Sequence, residues 1–594
     1  MRAGRAMLDL ATAPDVVTQT LRLSEADRRT VFDQMYMLPI YDTDWFHIVS
    51  FLQRQWFRRA WVVQEVGQAR VAAVICSHDC WLDFTVLVLV AKWMVDNQKD
   101  RDVWMKPWFQ ETSSFFQLPN GDVSDLIGRG IRSVAQIRDQ VRSDGLTPSD
   151  KKSSLLELLV RFWKRDASVA HDKVYALMSL CQDATLIDSI PVDYARPAAE
   201  VYTETARGIL QSMGRLDLLM YSSGDDYTGR LDLPSWVPDW SMQPGSVLLG
   251  HDDWLGVTGD NYEVTFPFCA DGNVDDFSAA VWEGRSFRVD SGSSLTVQGK
   301  MVATIKNTAS LQLDDSLMNV LNDLPLEYSY LKPVPLQSTC TPQNSTASGY
   351  QAWARSNETR FEALWRTALR DTWKGYWPAT DEAGLAFVRL LADELGEWIK
   401  KSTEVDKVDL FLESLPLPPG LTLAPKPSPS AIRAGPEAMI RFLAADERRC
   451  LDERRKTKRP NDAPSGLVTE PRKYLPEIEP GIDMANFVAT FRQEYDKDLH
   501  LLRSRGCLTG QYTLFSTDNH KLGIAPSAQS GDQVWILNGA GFPVILRSPV
   551  PGFTIVVGSA YVHGIMHGQE LGLAHGATLP VQLGELSLPE IMIQ

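Results

Sequence analysis

Residues 56–66 read WFRRAWVVQEV, and the apolar run ARVAAVIC follows at 69–76. In the first stretch Phe57, Trp61 and Glu65 are spaced four residues apart, which places them on one face of a helix. The second stretch is short and rich in alanine and β-branched residues, as strands are. A helix that leads directly into a strand is typical of an α/β unit, so this part of the chain predicts an α/β module.

Glu65 is the side chain of this stretch for which a chemical role can be argued. Trp61, one helical turn earlier, would shield the carboxylate from water, and Arg58, seven residues before it, would bring positive charge to the same side. Such surroundings are typical of catalytic carboxylates. A glutamate that ties its helix to a neighbour through an ion pair has the same pattern, and the residues alone favour that interpretation.

Several further patterns along the chain predict helices and strands. Leucines at 155–159 and apolar positions at 174–181 have helical spacing, whereas LTVQGKM at 295–301 alternates like a half-exposed strand. Prolines crowd residues 415–430, which predicts a linker or exposed loop. Three β-rich runs within 531–566, separated by glycine and proline turns, predict a small antiparallel sheet or barrel at the end of the chain.

The composition is that of a folded, soluble protein and excludes several partners. Lys plus Arg is 59 and Asp plus Glu is 75, and the resulting net charge of −16 disfavours binding to nucleic acid or anionic lipid. No apolar run approaches the ~20 residues of a membrane span, and the start of the chain has no secretory pattern. Seven scattered cysteines do not form a disulfide framework, so we expect a cytoplasmic protein. Nuclear import through the basic cluster at 454–459 is the alternative.

Common enzyme signatures do not occur in the sequence, which has no P-loop, no G-x-G-x-x-G, no H-E-x-x-H and no G-x-S-x-G. Cys76, His78 and Cys80 lie close together, but structural zinc needs four ligands, and we interpret the cysteines as reduced and partly buried. We interpret His563 and His567 as residues that stabilise the glycine-rich end of a strand, because no nucleophile is paired with either. The sequence therefore predicts no metal site and establishes no cofactor.

Four stretches of the sequence resemble fungal heterokaryon incompatibility (HET) domain proteins. The first, at 56–65, is similar to the family's W-F-x-R-x-W-x-x-Q-E. The second, at 172–177, reads DKVYAL as in the family and is followed by the pair Asp193-Tyr194. The third is LPSWVPDWS at 233–241, and the fourth lies within 531–568. The four stretches occur in the family's order.

The sequence patterns and the resemblance together predict five segments. These are the C-terminal part of a HET domain at 1–90, a helical flanking region at 91–245, a β-containing region at 246–330, a helical and proline-rich variable insert at 331–505, and a C-terminal β-rich module at 506–594. The expected fold is a partial α/β module, similar to Toll/interleukin-1 receptor (TIR) domains, followed by an α+β part. Family members usually begin with Y-x-x-L-S-Y-x-W-G and L-W-I-D-x-x-C-I-N-Q stretches, which do not occur before Trp56. We therefore expect that the first half of the HET domain is missing.

The resemblance implies a signalling function. HET proteins act in non-self recognition between fused fungal cells, where they trigger growth arrest or cell death. By resemblance, this chain would act in the same vegetative incompatibility response, with other HET or non-self recognition proteins as partners. A module left inactive by loss of the first half of the HET domain is the alternative outcome of this prediction.

Two alternatives follow from the same resemblance. TIR modules that cleave NAD carry a glutamate in a W-C-L-x-E-L helix, and WVVQEV at 61–66 aligns with it, with Val62 in place of the cysteine. Glu65 would then be the catalytic residue of an NAD glycohydrolase and would stabilise the oxocarbenium-like state, with Trp61 and Arg58 binding the NAD substrate. The other alternative is a non-enzymatic scaffold that pairs with intact HET proteins.

Overall fold

The computed structural model divides into two compact units, one of Met1–Ser212 with Trp240–Pro244 and the other of Met213–Asp239 with Gly245–Gln594. The structure describes residues 51–52, 54–77, 80–96, 154–181, 183–222, 231–242, 287–290, 294–310, 315–325, 328–335, 350–373, 379–414, 435–457, 468–469, 473–476, 484–491, 512–566 and 589–594, with single positions at 7, 11, 47, 48, 131, 134, 135, 137, 138 and 502. Within these ranges no helix has both the length and the apolarity needed to cross a membrane.

The first unit is mainly helical in its described part. Its elements are a 3-10 turn at Gln55–Arg58, helix α1 at Trp61–Gln68, strands β1 at Ala73–Ser77 and β2 at Cys80–Asp83, and helices α2 at Phe84–Asp96, α3 at Leu155–Arg161, α4 at Asp172–Met178, α5 at Ala184–Asp188 and α6 at Ala198–Met213. Strands β1 and β2 form an antiparallel hairpin, and α2 follows β2 without a break. Helix α4 packs against both α1 and α3.

Local chemistry decides where several of these helices begin. Ser154 caps α3, because its side chain accepts a hydrogen bond from the Glu157 amide. Asp183 caps α5 in the same way through the Leu186 amide. Pro197 stands just before α6, a place where its missing N–H costs nothing.

The helix predicted across residues 56–66 is interrupted in the structure. Arg59 is extended, with φ −71° and ψ 138°, and it pairs with Asp166 in an isolated parallel bridge. The Asp166 amide donates to the Arg58 carbonyl at 2.6 Å, and the Ala60 amide donates to the Asp166 carbonyl at 2.9 Å. These bonds replace helical ones, so helix α1 begins at Trp61. Phe57 lies in the preceding 3-10 turn and does not share a helix with Glu65.

The second unit contains most of the strands. Its described elements are a 3-10 turn at Asp217–Tyr221, β3 at Phe287–Val289, β4 at Leu295–Ser310, α7 at Asp315–Asn322, β5 at Tyr328–Pro335, β6 at Tyr350–Glu358, α8 at Arg360–Ala368, α9 at Asp381–Ser414, α10 at Gly435–Thr457, β7 at Val468–Thr469, α11 at Met484–Phe491, β8 at Thr513–Thr517, β9 at Leu522–Ala525, β10 at Gln533–Leu537, β11 at Pro543–Val550, β12 at Phe553–Ser559, β13 at Tyr561–Val562 and β14 at Glu590–Ile593.

A nine-stranded sheet forms the frame of this unit, in the order β10-β11-β12-β14-β4-β8-β9-β13, with β3 also paired to β4. Strand β4 pairs with β14 through residues 295–298, with β10 through 299–304 and with β8 through 305–310. Because β4 pairs with both β14 and β10, the strands β10, β11, β12, β14 and β4 close into a ring. Buried side chains at its centre include Ile305 and Val534.

Helix α8 lies at the centre of the rest of the unit. All of its residues from Arg360 to Ala368 are buried, and it packs against β9, α9 and α10. Strands β5, β6 and β7 form a separate three-stranded sheet. The described residues of the segments predicted at 246–330, 331–505 and 506–594 therefore lie in one compact unit. The pairing of β4 with β8 and β10 joins the first segment to the third, and the packing of α8 on β9 joins the second to the third.

We predict that Gly523→Ala destabilises the second unit. Gly523 pairs with Phe515 across β8 and β9, and a Cβ at this position would overlap the Phe515 ring. The buried ring must then leave its position, at a cost of about 1 to 3 kcal/mol. Urea unfolding measures the change. Val550→Ala, on the exposed end of β11, serves as the control and should change stability by less than about 0.5 kcal/mol. Equal urea midpoints for the two variants would contradict the close contact.

Candidate functional site

The sequence-predicted residues Glu65, Trp61 and Arg58 lie on or just before α1. Glu65 is on the exposed side of this helix, and Trp61 is half-buried. The Arg58 guanidinium pairs with Asp166, with 3.3 Å between Nε and Oδ2. The Arg58 charge that the sequence predicted beside Glu65 therefore pairs with Asp166, in the loop that follows α3.

The structure describes only some of the cysteine and histidine residues that the sequence analysis considered for metal binding or catalysis. His78, Asp79 and His567 lie outside the described residues, and so do the side chains of Cys76 and Cys80. In the described part of the chain, no group of three or more His, Cys, Asp or Glu residues could hold a metal ion. His563 is described and is buried.

Buried cations hold the loop that follows α3. The Lys173 ammonium donates to the carbonyls of Trp163, at 2.8 Å, and Arg165, at 2.5 Å. Arg165 in turn donates through its guanidinium to the Phe57 carbonyl. Burial lowers the pKa of Arg165 to about 10, while the neighbouring Asp166 acts in the opposite sense, so the guanidinium stays charged at neutral pH. The loop is thus held from both sides by cation-to-carbonyl bonds.

Tyr175 connects helix α4 to the Asp193-Tyr194 segment. Its hydroxyl oxygen accepts a hydrogen bond from the Asp193 amide at 3.1 Å. The Tyr194 hydroxyl donates to Asp172 Oδ1 at 2.8 Å, and the His171 ring bonds to the Arg196 carbonyl at 2.7 Å. The rings of His171, Tyr175 and Tyr194 lie within 6 Å of one another. The residues 57–60, 163–166, 171–175 and 191–194 are here called the motif frame.

Residues next to the motif frame connect it with α6 and with the end of the third sequence stretch. The Tyr202 hydroxyl donates to the Ala170 carbonyl at 2.7 Å, and its ring meets Trp240 edge to face at 5.1 Å. The Trp163 indole donates to the Met242 carbonyl at 2.8 Å. The resemblance motifs of the first unit are therefore one packed assembly. Their aromatic and basic residues are used to satisfy buried backbone carbonyls.

The remainder of the third stretch belongs to the second unit. The Ser235 hydroxyl accepts from the Val556 amide of β12 at 3.0 Å and donates to the carbonyl of Gln594. Trp236 is fully buried, and its carbonyl accepts from the Ser222 hydroxyl at 2.8 Å. The stretch therefore connects strand β12 to the described end of the chain.

A buried charge cluster links α8 to the C-terminal strands, and the sequence reasoning missed it. We define the cluster as Glu358, Glu362, Arg366, Asp371 and His563, each of which is nearly inaccessible to solvent. The Arg366 guanidinium reaches Glu358 at 3.2 Å, Glu362 at 2.9 Å and Asp371 at 2.6 Å. One cation therefore compensates three buried carboxylates.

His563 completes the cluster from the end of β13. Its Nε2 lies 2.7 Å from Glu358 Oε2, and its Nδ1 lies 3.0 Å from the Tyr561 hydroxyl. Because a carboxylate oxygen accepts, Nε2 is the donor to Glu358. The Glu362 and Arg366 spacing of four residues was a visible signal of a helical ion pair. Nothing local connects Glu358 with a histidine 205 positions later.

The backbone beside the cluster adopts an unusual conformation. Arg370 and Asp371, which follow α8, both have positive φ, at 54° and 51°. Such conformations cost of order 1 kcal/mol or more for residues other than glycine and persist where the surroundings determine them. Here the Asp371 amide donates to the Arg366 carbonyl at 2.6 Å, and the Arg370 guanidinium lies over the Tyr512 ring at 5.0 Å.

Glu447 on α10 is a buried carboxyl group outside the cluster, and it binds two backbone amides. It accepts hydrogen bonds from the Tyr474 amide at 3.0 Å and the Leu475 amide at 2.8 Å. Burial raises the pKa of Glu447 to about 7, and the two amides and the charge of Lys473 oppose that rise. The Tyr474 ring packs edge to face on Trp365 of α8. Glu447 thus docks residues 473–476 on the helices.

Comparison with known proteins gives one distant relative with an assigned role. Over 207 residues the chain is 27% identical to heterokaryon incompatibility protein 6, OR allele, of Neurospora crassa. The match covers 32% of this chain and 28% of that protein, so it extends over less than a third of the relative's length. No family model matches the chain, and no solved structure matches it. The chain is therefore distantly similar to a fungal incompatibility protein, which supports an incompatibility-related role at the level of the family.

We predict that Lys173→Met destabilises the first unit. The thioether cannot donate, so the carbonyls of Trp163 and Arg165 lose a buried donor, which costs roughly 1 to 3 kcal/mol. Hydrogen exchange of the amides of α3 and α4 should quicken accordingly. Arg59→Met removes an exposed cation from the same frame and is the matched control. Unchanged protection in Lys173→Met would show that the ammonium does not hold the loop.

We predict a distinct pH dependence for Glu447→Gln. The folded pKa of about 7 lies above the ordinary value of 4.5. The stabilising contribution of the carboxyl is therefore complete below the lower value and is lost as the pH rises through the higher one. Relative to the variant, which does not titrate, the wild type should lose up to about 3 kcal/mol of stability between about pH 5 and pH 8.

Urea unfolding of both proteins across this pH range measures the difference. Glu437→Gln, at the accessible start of the same helix, controls for the loss of one negative charge. Parallel pH profiles for the wild type and Glu447→Gln would contradict the raised pKa.

Proposed function

We propose that this chain acts in fungal self/non-self recognition, in the vegetative incompatibility response that leads to growth arrest or cell death, and that it acts by binding other proteins. Its distant similarity to an incompatibility protein of Neurospora crassa is the observation that carries the proposal. The residues that carry the HET resemblance make hydrogen bonds that hold the motif frame together. This favours a binding role over a catalytic one. Lys173 and Tyr175 are both bonded to backbone atoms.

The surroundings of Glu65 favour binding over NAD hydrolysis. A glycohydrolase needs its carboxylate against the ribose of a bound substrate, in a site that limits access of water. Glu65 is exposed, and the Arg58 guanidinium is paired with Asp166. Neither the exposed carboxylate nor an arginine already paired with Asp166 would hold a dinucleotide against Glu65.

Charge supports protein partners in the cytoplasm. A net charge of −16 opposes binding to polyanions, so we propose other HET or non-self recognition proteins as partners. On the basic end of α10, Arg455 pairs with Asp452 and Lys456 pairs with Glu453. Cations that alternate with acidic neighbours in this way are typical of a solvated helix, which favours the cytoplasm over nuclear import.

Conditional expression in a filamentous fungus tests the proposal. We expect growth arrest with the wild-type chain and with Glu65→Ala, because Glu65 has no catalytic task in the proposed mechanism. Lys173→Met should weaken the response by disturbing the motif frame, and Arg59→Met should not. Protein levels of all four are compared by immunoblot.

A direct enzyme assay separates binding from catalysis. Purified protein incubated with NAD should release no nicotinamide above a protein-free blank. Release that disappears in Glu65→Ala would refute a binding function and establish the glycohydrolase.

A further inference from the structure

The segment that connects helices α5 and α6 lies at the surface of the first unit and is fixed by bonds to the start of α4. Its Asp193 amide donates to the Tyr175 hydroxyl at 3.1 Å, and its Arg196 carbonyl bonds to the His171 ring at 2.7 Å. The Asp193 carboxylate also accepts from the Ala195 amide at 2.9 Å. Because these bonds fix the backbone, a partner that binds the segment need not order it first.

Three large apolar side chains are exposed in this area. Val192 of the segment is 62% exposed and Tyr194 is 51% exposed, and Val169, in the turn before α4, is 43% exposed. The Tyr194 hydroxyl donates to Asp172 Oδ1 at 2.8 Å, and the Asp172 amide donates to the Val169 carbonyl at 3.0 Å. These two bonds bring the segment beside the turn, and a group of exposed apolar side chains marks an interaction site. We call Val169, Val192 and Tyr194 the Tyr194 surface.

The chain around the Tyr194 surface is acidic. Residues 183–207 carry five acidic side chains and two basic ones, Arg196 and Arg207, which leaves three negative charges in excess. Asp188 and Asp193 stand on either side of the exposed valine along the chain, and a third carboxylate accepts from the tyrosine hydroxyl. The Tyr194 surface therefore combines exposed apolar side chains with a local excess of negative charge.

We propose that the Tyr194 surface binds a basic segment of another protein, in which an arginine or lysine lies next to an apolar side chain. A half-exposed tyrosine ring attracts a cation over its face, and Asp172 and Asp193 place carboxylates close to that ring. The apolar side chain of the partner would cover the two exposed valines and remove them from water. This inference rests on the proposed binding function and names the chemistry of the partner.

Charge decides between the possible occupants of this surface. Nucleic acid and anionic lipid have the same sign of charge as the surface, and a second copy of this chain carries a net charge of −16. A basic segment has the opposite sign, and salt screens its attraction beyond about 8 Å at physiological concentration. Binding should therefore weaken as the salt concentration rises, whereas a purely apolar contact would not.

Fluorescence anisotropy with the full chain and a labelled synthetic peptide tests the proposal. The peptide alternates arginine with leucine, and a second peptide with glutamine in place of arginine is the control. The wild type should bind the arginine peptide more tightly than the control, and less tightly at high salt. Tyr194→Ser should weaken binding at least about tenfold, because a central aromatic dominates a small interface. Val192→Thr should weaken it about fourfold, and Asp188→Asn about two- to fivefold at low salt.

Matched variants separate this surface from the net charge of the chain. Val71→Thr changes another exposed valine of the first unit, and Glu437→Gln removes an accessible carboxylate from the second unit. Both should leave the affinity within about twofold of the wild type. Tyr194→Phe keeps the ring and should retain most of the affinity that Tyr194→Ser loses. Circular dichroism of each variant checks the fold, and the exposed Val192 and Asp188 provide the test if Tyr194→Ser does not fold.

Several results would overturn the assignment. These are equal affinities for the two peptides, an equal loss of affinity in Asp188→Asn and Glu437→Gln, and full affinity in Val192→Thr. A concentration-dependent dimer in sedimentation velocity that Val192→Thr abolishes would assign the surface to a second copy instead.

Expression in the fungus distinguishes failure of this surface from failure of the proposed function. Tyr194→Ser should weaken growth arrest, and Val71→Thr should not. Full arrest with a folded Tyr194→Ser variant would overturn the role of this surface and leave the recognition function standing. Absence of arrest with the wild type would instead contradict the recognition function, whatever the peptide binds.

Discussion

The ammonium group of Lys173, buried among backbone carbonyls, is the interaction on which the first unit depends. Buried backbone carbonyls need a hydrogen-bond donor, and a buried cation supplies strong bonds to them. Lys173 does this for the loop after α3, and Arg165 extends the arrangement to Phe57. The bond from Arg165 ties the 3-10 turn to this loop, and the backbone bridge to Asp166 beside it sets the break before α1.

The same constraint organises the second unit around a guanidinium. Three carboxylates are buried beside Arg366, and each would be costly there without its bond to the cation. Glu358 is shared with His563, which brings the end of β13 to α8. The β9–β13 end of the nine-stranded sheet and the buried helix α8 are thereby held to one another by polar contacts as well as by packing.

These two arrangements separate residues that maintain the fold from residues that are free to meet a partner. The buried charge cluster has little exposed surface to offer, and in the motif frame the cations Lys173 and Arg165 are buried. Glu65, Ile75 and Trp81 are exposed on the first unit.

Helices and strands whose residue pattern is set by close neighbours in the chain could be predicted from the sequence. The spacing at 155–159 and 174–181 matches helices α3 and α4, and the strands from β10 to β12 coincide with the β-rich runs, because these patterns reflect which face of a single element is buried. The break at Arg59 could not be read, because its cause is a backbone bridge to Asp166. The sequence by itself thus determined local elements, composition and a family likeness. Only the tertiary structure decided which charges are buried together, because Glu358 and His563 are 205 residues apart and only the folded chain joins them.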